Sequence, residues 1–159
     1  MYLDRQTFLE KVKNSGSRYW DEGKNYRWQY MEYAINEMKR LNPDTIIEAG
    51  SSGIPLNSES FLFDLPQNDL NKIPFLISDK AFDCFIALQV WEHLDNQTEA
   101  FSEVMRISKS AVLSFPYMWT WGDKHHKGIT GEMINKWTCN IKPVREKFIN
   151  NRLILTWEF

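Results

Sequence analysis

Residues Asp83 to Gln89 (DCFIALQ) set Cys, Phe, Ile, Ala and Leu in unbroken succession. A strand with no polar face has to be covered on both sides, as central parallel strands are, so helices are expected above and below a sheet. The flanking pattern agrees. From Tyr26 to Leu41, apolar Trp28, Met31, Ala34, Ile35, Met38 and Leu41 recur at three- and four-residue steps, which predicts an amphipathic helix ended by Asn42-Pro43-Asp44. Thr45 to Glu48 reads as a strand leaving the sheet through Ala49-Gly50-Ser51-Ser52-Gly53, and Ser60 to Leu65 as a second strand stopped by Pro66. A helix is expected over Asn96 to Lys109, N-capped by Asp95 or Asn96, and then a strand over Ala111 to Phe115. A shorter helix, capped by Thr130, follows within Gly128 to Trp137. The tail, Val144 to Ile149 and Arg152 to Trp157 around Asn150-Asn151, reads as a β-hairpin, because Asn tolerates the positive φ of two-residue turns. The fold class is therefore α/β: a three-layer sandwich whose mostly parallel sheet ends in an antiparallel hairpin.

At 159 residues the chain is expected to form one domain over 1–159. Its first 25 residues, with a short helix over Thr7 to Lys13 and a break at Asn14 to Ser17, are expected to fold over a pocket or stay mobile. Nineteen basic against 21 acidic residues leave no overall attraction to nucleic acid or anionic membrane, so neither is expected as a partner. The N-terminus lacks the apolar region of a signal peptide, and no apolar run is long enough to span a bilayer, which assigns the chain to the cytoplasm. Cys84 and Cys139, the only cysteines, are expected as reduced structural thiols.

Two motifs carry chemistry. The first is the strand and turn of Glu48 to Gly53 (EAGSSG). The second is Phe82-Asp83 leading into the apolar strand, with Gln89-Val90-Trp91-Glu92-His93-Leu94 leaving it. Together they resemble the nucleotide half of a class I S-adenosylmethionine-dependent methyltransferase, which has a Rossmann-like fold. That resemblance implies S-adenosylmethionine as cofactor. It implies that Glu48 accepts from the cofactor's amino group, that the Gly50, Ser51 and Gly53 loop lets the backbone approach it, and that Asp64 binds the ribose hydroxyls. It further places Asp69, ahead of Ile73-Pro74-Phe75, near the adenine amino group, and makes Gln89 and Val90 the floor of the pocket. His93 reads either as a general base near the acceptor or as a residue orienting its own turn. Pro116 to His126, rich in aromatic residues and carrying His125 and His126, lies where open α/β sheets place substrate residues. These adjacent histidines have no Asp, Glu or Cys partner at ligand spacing, so no metal is expected.

The family normally fits two helices and two strands between its landmarks, but only 29 positions separate Gly53 from Phe82. Seven residues, Ile54 to Ser60, precede Phe61, whereas a helical crossover needs roughly ten to twelve or more. The sheet is thus expected to be trimmed at the edge beyond the second strand, and cover for the cofactor has to come from the N-terminal segment or from a homodimer or larger assembly. Aromatic Tyr19, Trp20, Tyr26 and Trp28 are read as that lid or as core. The expected activity is in-line methyl transfer to a small-molecule or saccharide-type acceptor, with the base drawn from His93, His125 and His126. The alternative is a degenerate member of the same fold that binds or regulates a partner without catalysis.

Overall fold

The computed structural model describes residues 1–159. Strands β1 (Ile46–Ala49), β2 (Phe61–Leu62), β3 (Cys84–Leu88), β4 (Ser110–Pro116), β5 (Arg145–Ile149) and β6 (Arg152–Glu158) form one sheet in the order β2-β1-β3-β4-β6-β5. Pairings among β2, β1, β3 and β4 are parallel, and β6 runs antiparallel to both β4 and β5. Two separate apolar clusters cover the two faces of this sheet. Strand β3 shows why both exist: Phe85 and Ala87 point into one cluster, Cys84 and Ile86 into the other. The continuous apolar run is thereby used on both sides.

One face is covered by α1 (Arg5–Ser15) and α2 (Arg18–Leu41). Met31, Ala34, Ile35 and Met38 are the buried stripe expected from their spacing, and Glu37 beside them is buried as well. Its carboxylate accepts from Thr156 Oγ1 at 3.2 Å and pairs with Arg145 at 3.1 Å, so α2 is tied to both hairpin strands. Helix α2 begins at Arg18, two turns before the expected start. Its opening turns are polar, and what makes them helical is the burial of Trp20, whose ring meets Phe8 of α1 at 6.0 Å. Gly16, at φ +61°, turns the chain from α1 into α2. The first 25 residues are thus helical and packed, with Leu3, Phe8, Val12 and Trp20 in the core.

The other face is covered by α3 (Gln97–Ile107) and α4 (Gly131–Trp137). Thr130 caps α4 by accepting from Met133 N at 3.3 Å, whereas Asn96 precedes α3 without a side-chain cap. Asn150 and Asn151, at φ +49° and +60°, make the hairpin turn their identity called for. Cys84 is buried and Cys139 half-buried, and the two are unpaired.

The sheet ends at β2, as the residue count requires. The second strand is only Phe61–Leu62, both exposed, rather than the full Ser60 to Leu65 run. No helix lies between β1 and β2. The N-terminal segment occupies that side: Leu3 N donates to Leu56 O at 2.8 Å and Tyr2 bridges to Asn57. Beyond β2, the irregular chain up to β3 is held by Arg106 of α3, which donates to Phe75 O at 3.0 Å, Ile77 O at 2.7 Å and Asp79 Oδ1 at 2.7 Å. Glu103 completes the clamp by accepting from Phe75 N at 2.7 Å.

Candidate functional site

At the carboxyl ends of β1 and β3 the chain encloses a cavity of about 430 Å³, within the usual range of small-molecule sites. Gly50 and Gly53 form its loop side, Asp64 and Asp69 its polar end, Val90 and His93 the side after β3, and Phe63, Leu70 and Leu94 its apolar walls. A second, smaller hollow adjoins it through Gly50 and Ser52 and contains Glu48, Ser51, Gln89, Tyr19 and Trp20.

Asp64 organises the loop. Its Oδ1 accepts from Gly50 N at 2.5 Å and Ser51 N at 3.2 Å, and its Oδ2 accepts from Ser51 Oγ at 2.5 Å. A carboxylate has about four acceptor positions, so roughly one remains free, on Oδ2. Asp64 can therefore take one ribose hydroxyl as it stands, and a second only if the Ser51 hydroxyl turns away.

Gly50 has φ +73°, and a Cβ there would lie 2.2 Å from Val90 Cγ2. Its glycine is required by the packing of the two motif segments against each other, before any ligand is considered. Gly53, at φ +80°, faces open space instead.

Glu48 is buried, and both carboxylate oxygens lie 2.9 Å from Leu56 N, so it anchors the shortened crossover. Burial pushes its carboxyl up to about 7, against the opposing pull of the Leu56 N–H. Because the folded-state value lies above the ordinary 4.5, Glu48 contributes most to stability below pH 4.5 and loses that contribution as pH rises toward 7. The ligand-free Glu48→Gln variant is accordingly expected to gain stability relative to the parent chain across this interval, in urea denaturation series at stepped pH; a constant difference would refute the assignment. Gln89 takes a left-handed backbone at φ +59°, and its amide and side chain both bond Ser114 Oγ, at 3.0 and 3.1 Å.

The histidines converge although they are distant in sequence. His93 closes the single 3-10 turn Trp91–His93, and its ring lies 5.0 Å from that of His126 and 5.5 Å from that of His125. Its imidazole makes no hydrogen bond within its own turn. Burial, with His126 and His125 nearby, holds its pKa below the ordinary imidazole value. His126 stacks on Trp119 at 5.6 Å, and Trp119 on Trp121 at 4.1 Å. The loop is pinned to the hairpin by Trp119 Nε1–H donating to Asn151 O. The carboxylate that the histidines lack at sequence spacing is supplied in space by Glu92, whose Oε1 lies 3.9 Å from His93 Nε2 and 4.0 Å from His126 Nε2. Glu92 was overlooked in the sequence because it stands within an apolar motif and its partner comes from a different loop.

The model of the methyltransferase domain family matches residues 29–113, more than half of the chain. The chain belongs to the methyltransferase domain family. Its cofactor is S-adenosylmethionine, and the cavity suits it: apolar walls for a purine, a free Asp64 acceptor position for a ribose, and open space beside Gly53. Solved structures agree on the fold of this methyltransferase. A S-adenosylmethionine-dependent methyltransferase from Aquifex aeolicus aligns at TM-score 0.55 and 10% identity, over 97% of each chain. Magnesium protoporphyrin IX methyltransferase from Synechocystis PCC 6803, solved with bound S-adenosylhomocysteine, aligns at TM-score 0.59 and 10% identity, over 94% of this chain and 91% of that one. A chain of the complex between the Haloferax volcanii Trm112 methyltransferase activator and a methyltransferase aligns at TM-score 0.63 and 9% identity, over 97% and 96%. No curated protein sequence matches the chain. No helix of this methyltransferase is long and apolar enough to cross a membrane.

Proposed function

We propose that this methyltransferase methylates a small-molecule or saccharide-type acceptor seated between the cavity and the 117–126 loop. The observation that carries the reading is the position of His93, which lines the cofactor-sized cavity and at the same time touches the rings of His125 and His126. When bound, S-adenosylmethionine supplies a methyl carbon whose bond to sulfur breaks as the acceptor atom bonds to it. In this reading Asp64 takes a ribose hydroxyl, Asp69 lies at the purine end, and the hollow of Glu48, Gln89, Tyr19 and Trp20 is the methionine end. Val90 and Leu94 exclude water from the cavity, and the proton of a hydroxyl acceptor leaves toward the histidine cluster. Exposed Trp121, stacked on buried Trp119, offers a flat apolar surface of the kind that sugar rings and aromatic compounds pack against. The formal charge of −2 favours such acceptors over nucleic acid.

Calorimetry with S-adenosylhomocysteine tests the cofactor half of this reading. Saturable binding is expected, weakened about 10- to 100-fold in Asp64→Asn. In that variant Oδ1 still accepts from the loop N–H groups and the amide donates to Ser51 Oγ, but the free acceptor position is lost. Labelled-methyl transfer to saccharides and small hydroxyl compounds, run beside RNA and protein, tests the acceptor half. Label incorporated only into RNA or protein would overturn it.

A further inference from the structure

Glu92 is the least satisfied group in the molecule. Its side chain has no exposed surface, and both carboxylate oxygens are without a hydrogen-bond partner. Burial holds its carboxyl above the ordinary range, only partly offset by its own backbone N–H and by Arg152 through space; no hydrogen bond or ion pair joins it to Arg152, whose Nε is itself without a partner. A buried carboxyl group whose two oxygens lack a well-formed hydrogen bond is costly, and a bound ion is one way in which native structures satisfy such a group. Two imidazoles face it: the ligand atoms of Glu92, His93 and His126 all lie within 4.8 Å of one another.

We propose that Glu92, His93 and His126 bind one divalent transition-metal ion at the edge of the cofactor cavity. Two imidazole nitrogens and one carboxylate form the three-ligand set of open, four-coordinate sites, which suits zinc and its first-row neighbours and leaves at least one position for an exogenous oxygen or nitrogen. Tetrahedral bonds of about 2.1 Å place ligand atoms about 3.4 Å apart. The observed 3.9 and 4.0 Å from Glu92 Oε1 to His93 Nε2 and His126 Nε2 need to close by only about half an ångström for such bonds. The surroundings are also those of a metal centre. Asp123 Oδ1 lies 2.7 Å from His126 Nδ1, so the proton resides on Nδ1 and the Nε2 lone pair is turned toward Glu92. Asp123 also accepts from His125 N at 2.9 Å, which fixes the loop carrying the second imidazole. Trp119, flat against the His126 ring, holds it from the other side.

His93 also lines the cavity, so the ion would stand beside the place proposed for the acceptor. There the ion would bind and acidify a hydroxyl or water, with His93 and His126 as ligands rather than bases. That role rests on the methyltransferase reading, whereas the ion site does not.

The test is calorimetric titration of the chelator-treated, dialysed full chain with zinc chloride, and separately with manganese and magnesium chloride. One zinc per chain is expected, with manganese weaker and magnesium weaker still. Glu92→Gln and His126→Ala should abolish stoichiometric binding, and Asp123→Asn should weaken it about 10- to 100-fold. Circular dichroism of each variant separates lost ligands from lost folding. Asp64→Asn should retain the zinc stoichiometry while losing affinity for S-adenosylhomocysteine, so failure of the ion site and failure of the cofactor site give different results. A folded parent chain that takes up none of the three ions, or zinc binding unchanged in a Glu92→Gln/His126→Ala double variant, would overturn the proposal.

Discussion

Gly50→Ala is expected to destabilise the chain by about 2–5 kcal/mol and to abolish cofactor binding. Two costs combine. An alanine at φ +73° pays roughly 1–2 kcal/mol for its left-handed backbone. Its Cβ, 2.2 Å from Val90 Cγ2, adds an overpacking cost of about 1–3 kcal/mol. The second cost is removable, because in Val90→Ala the nearest methyl is gone and only Cβ remains, at 3.5 Å. A double-mutant cycle by urea denaturation should therefore show Gly50→Ala costing only about 1–2 kcal/mol in the Val90→Ala background. Equal costs in both backgrounds would mean that the two motif segments are not packed against each other as described. Since Asp64 bonds Gly50 N and Ser51 N, a displaced loop also loses the orientation of the carboxylate proposed to take the ribose. Stability and affinity should fall together in the single variant.

Phe101→Ala should be the most destabilising single truncation in the core, by about 3–5 kcal/mol, lowering the melting temperature on the order of 10 °C. The Phe101 ring is fully buried and lies 5.1 Å from Trp157, 6.4 Å from Trp91 and 5.9 Å from Phe159. It joins α3 to β6 and to the turn that carries Glu92 and His93. Phe159→Ala removes one of the same contacts from a ring that is 36% exposed and is expected to cost only about 1–2 kcal/mol. Similar melting temperatures for the two variants would refute the central role given to Phe101. Because Trp91 is anchored by Phe101 and by its own bond to Gln97 O at 3.2 Å, local opening around Trp91 to Leu94 should also rise in Phe101→Ala, as measured by hydrogen exchange.

What could be read before folding was what is encoded locally. The Asp83 to Gln89 run specified a strand covered on both faces, since five successive apolar residues leave no side to solvent. Asn150-Asn151 specified the hairpin through the φ those residues tolerate, and Met31, Ala34, Ile35 and Met38 specified the inner stripe of α2. Even the trimmed sheet edge followed from a count, because the residues after Gly53 are too few for a helical crossover.

Other features were decided only by contacts between distant parts of the chain. The early start of α2 depends on Trp20 finding Phe8, and the anchoring of Glu48 depends on the crossover folding back to present Leu56 N. The meeting of Glu92 and His93 with His126 and Asp123 depends on the 117–130 loop returning over the end of β3. Periodicity and turn chemistry act over a few residues, so the sequence by itself determined the order and kind of the strands, helices and turns, though not the first turns of α2 or the length of β2. A site built from loops depends on which loops meet, and that is set by the packing of the whole sheet and its two cores.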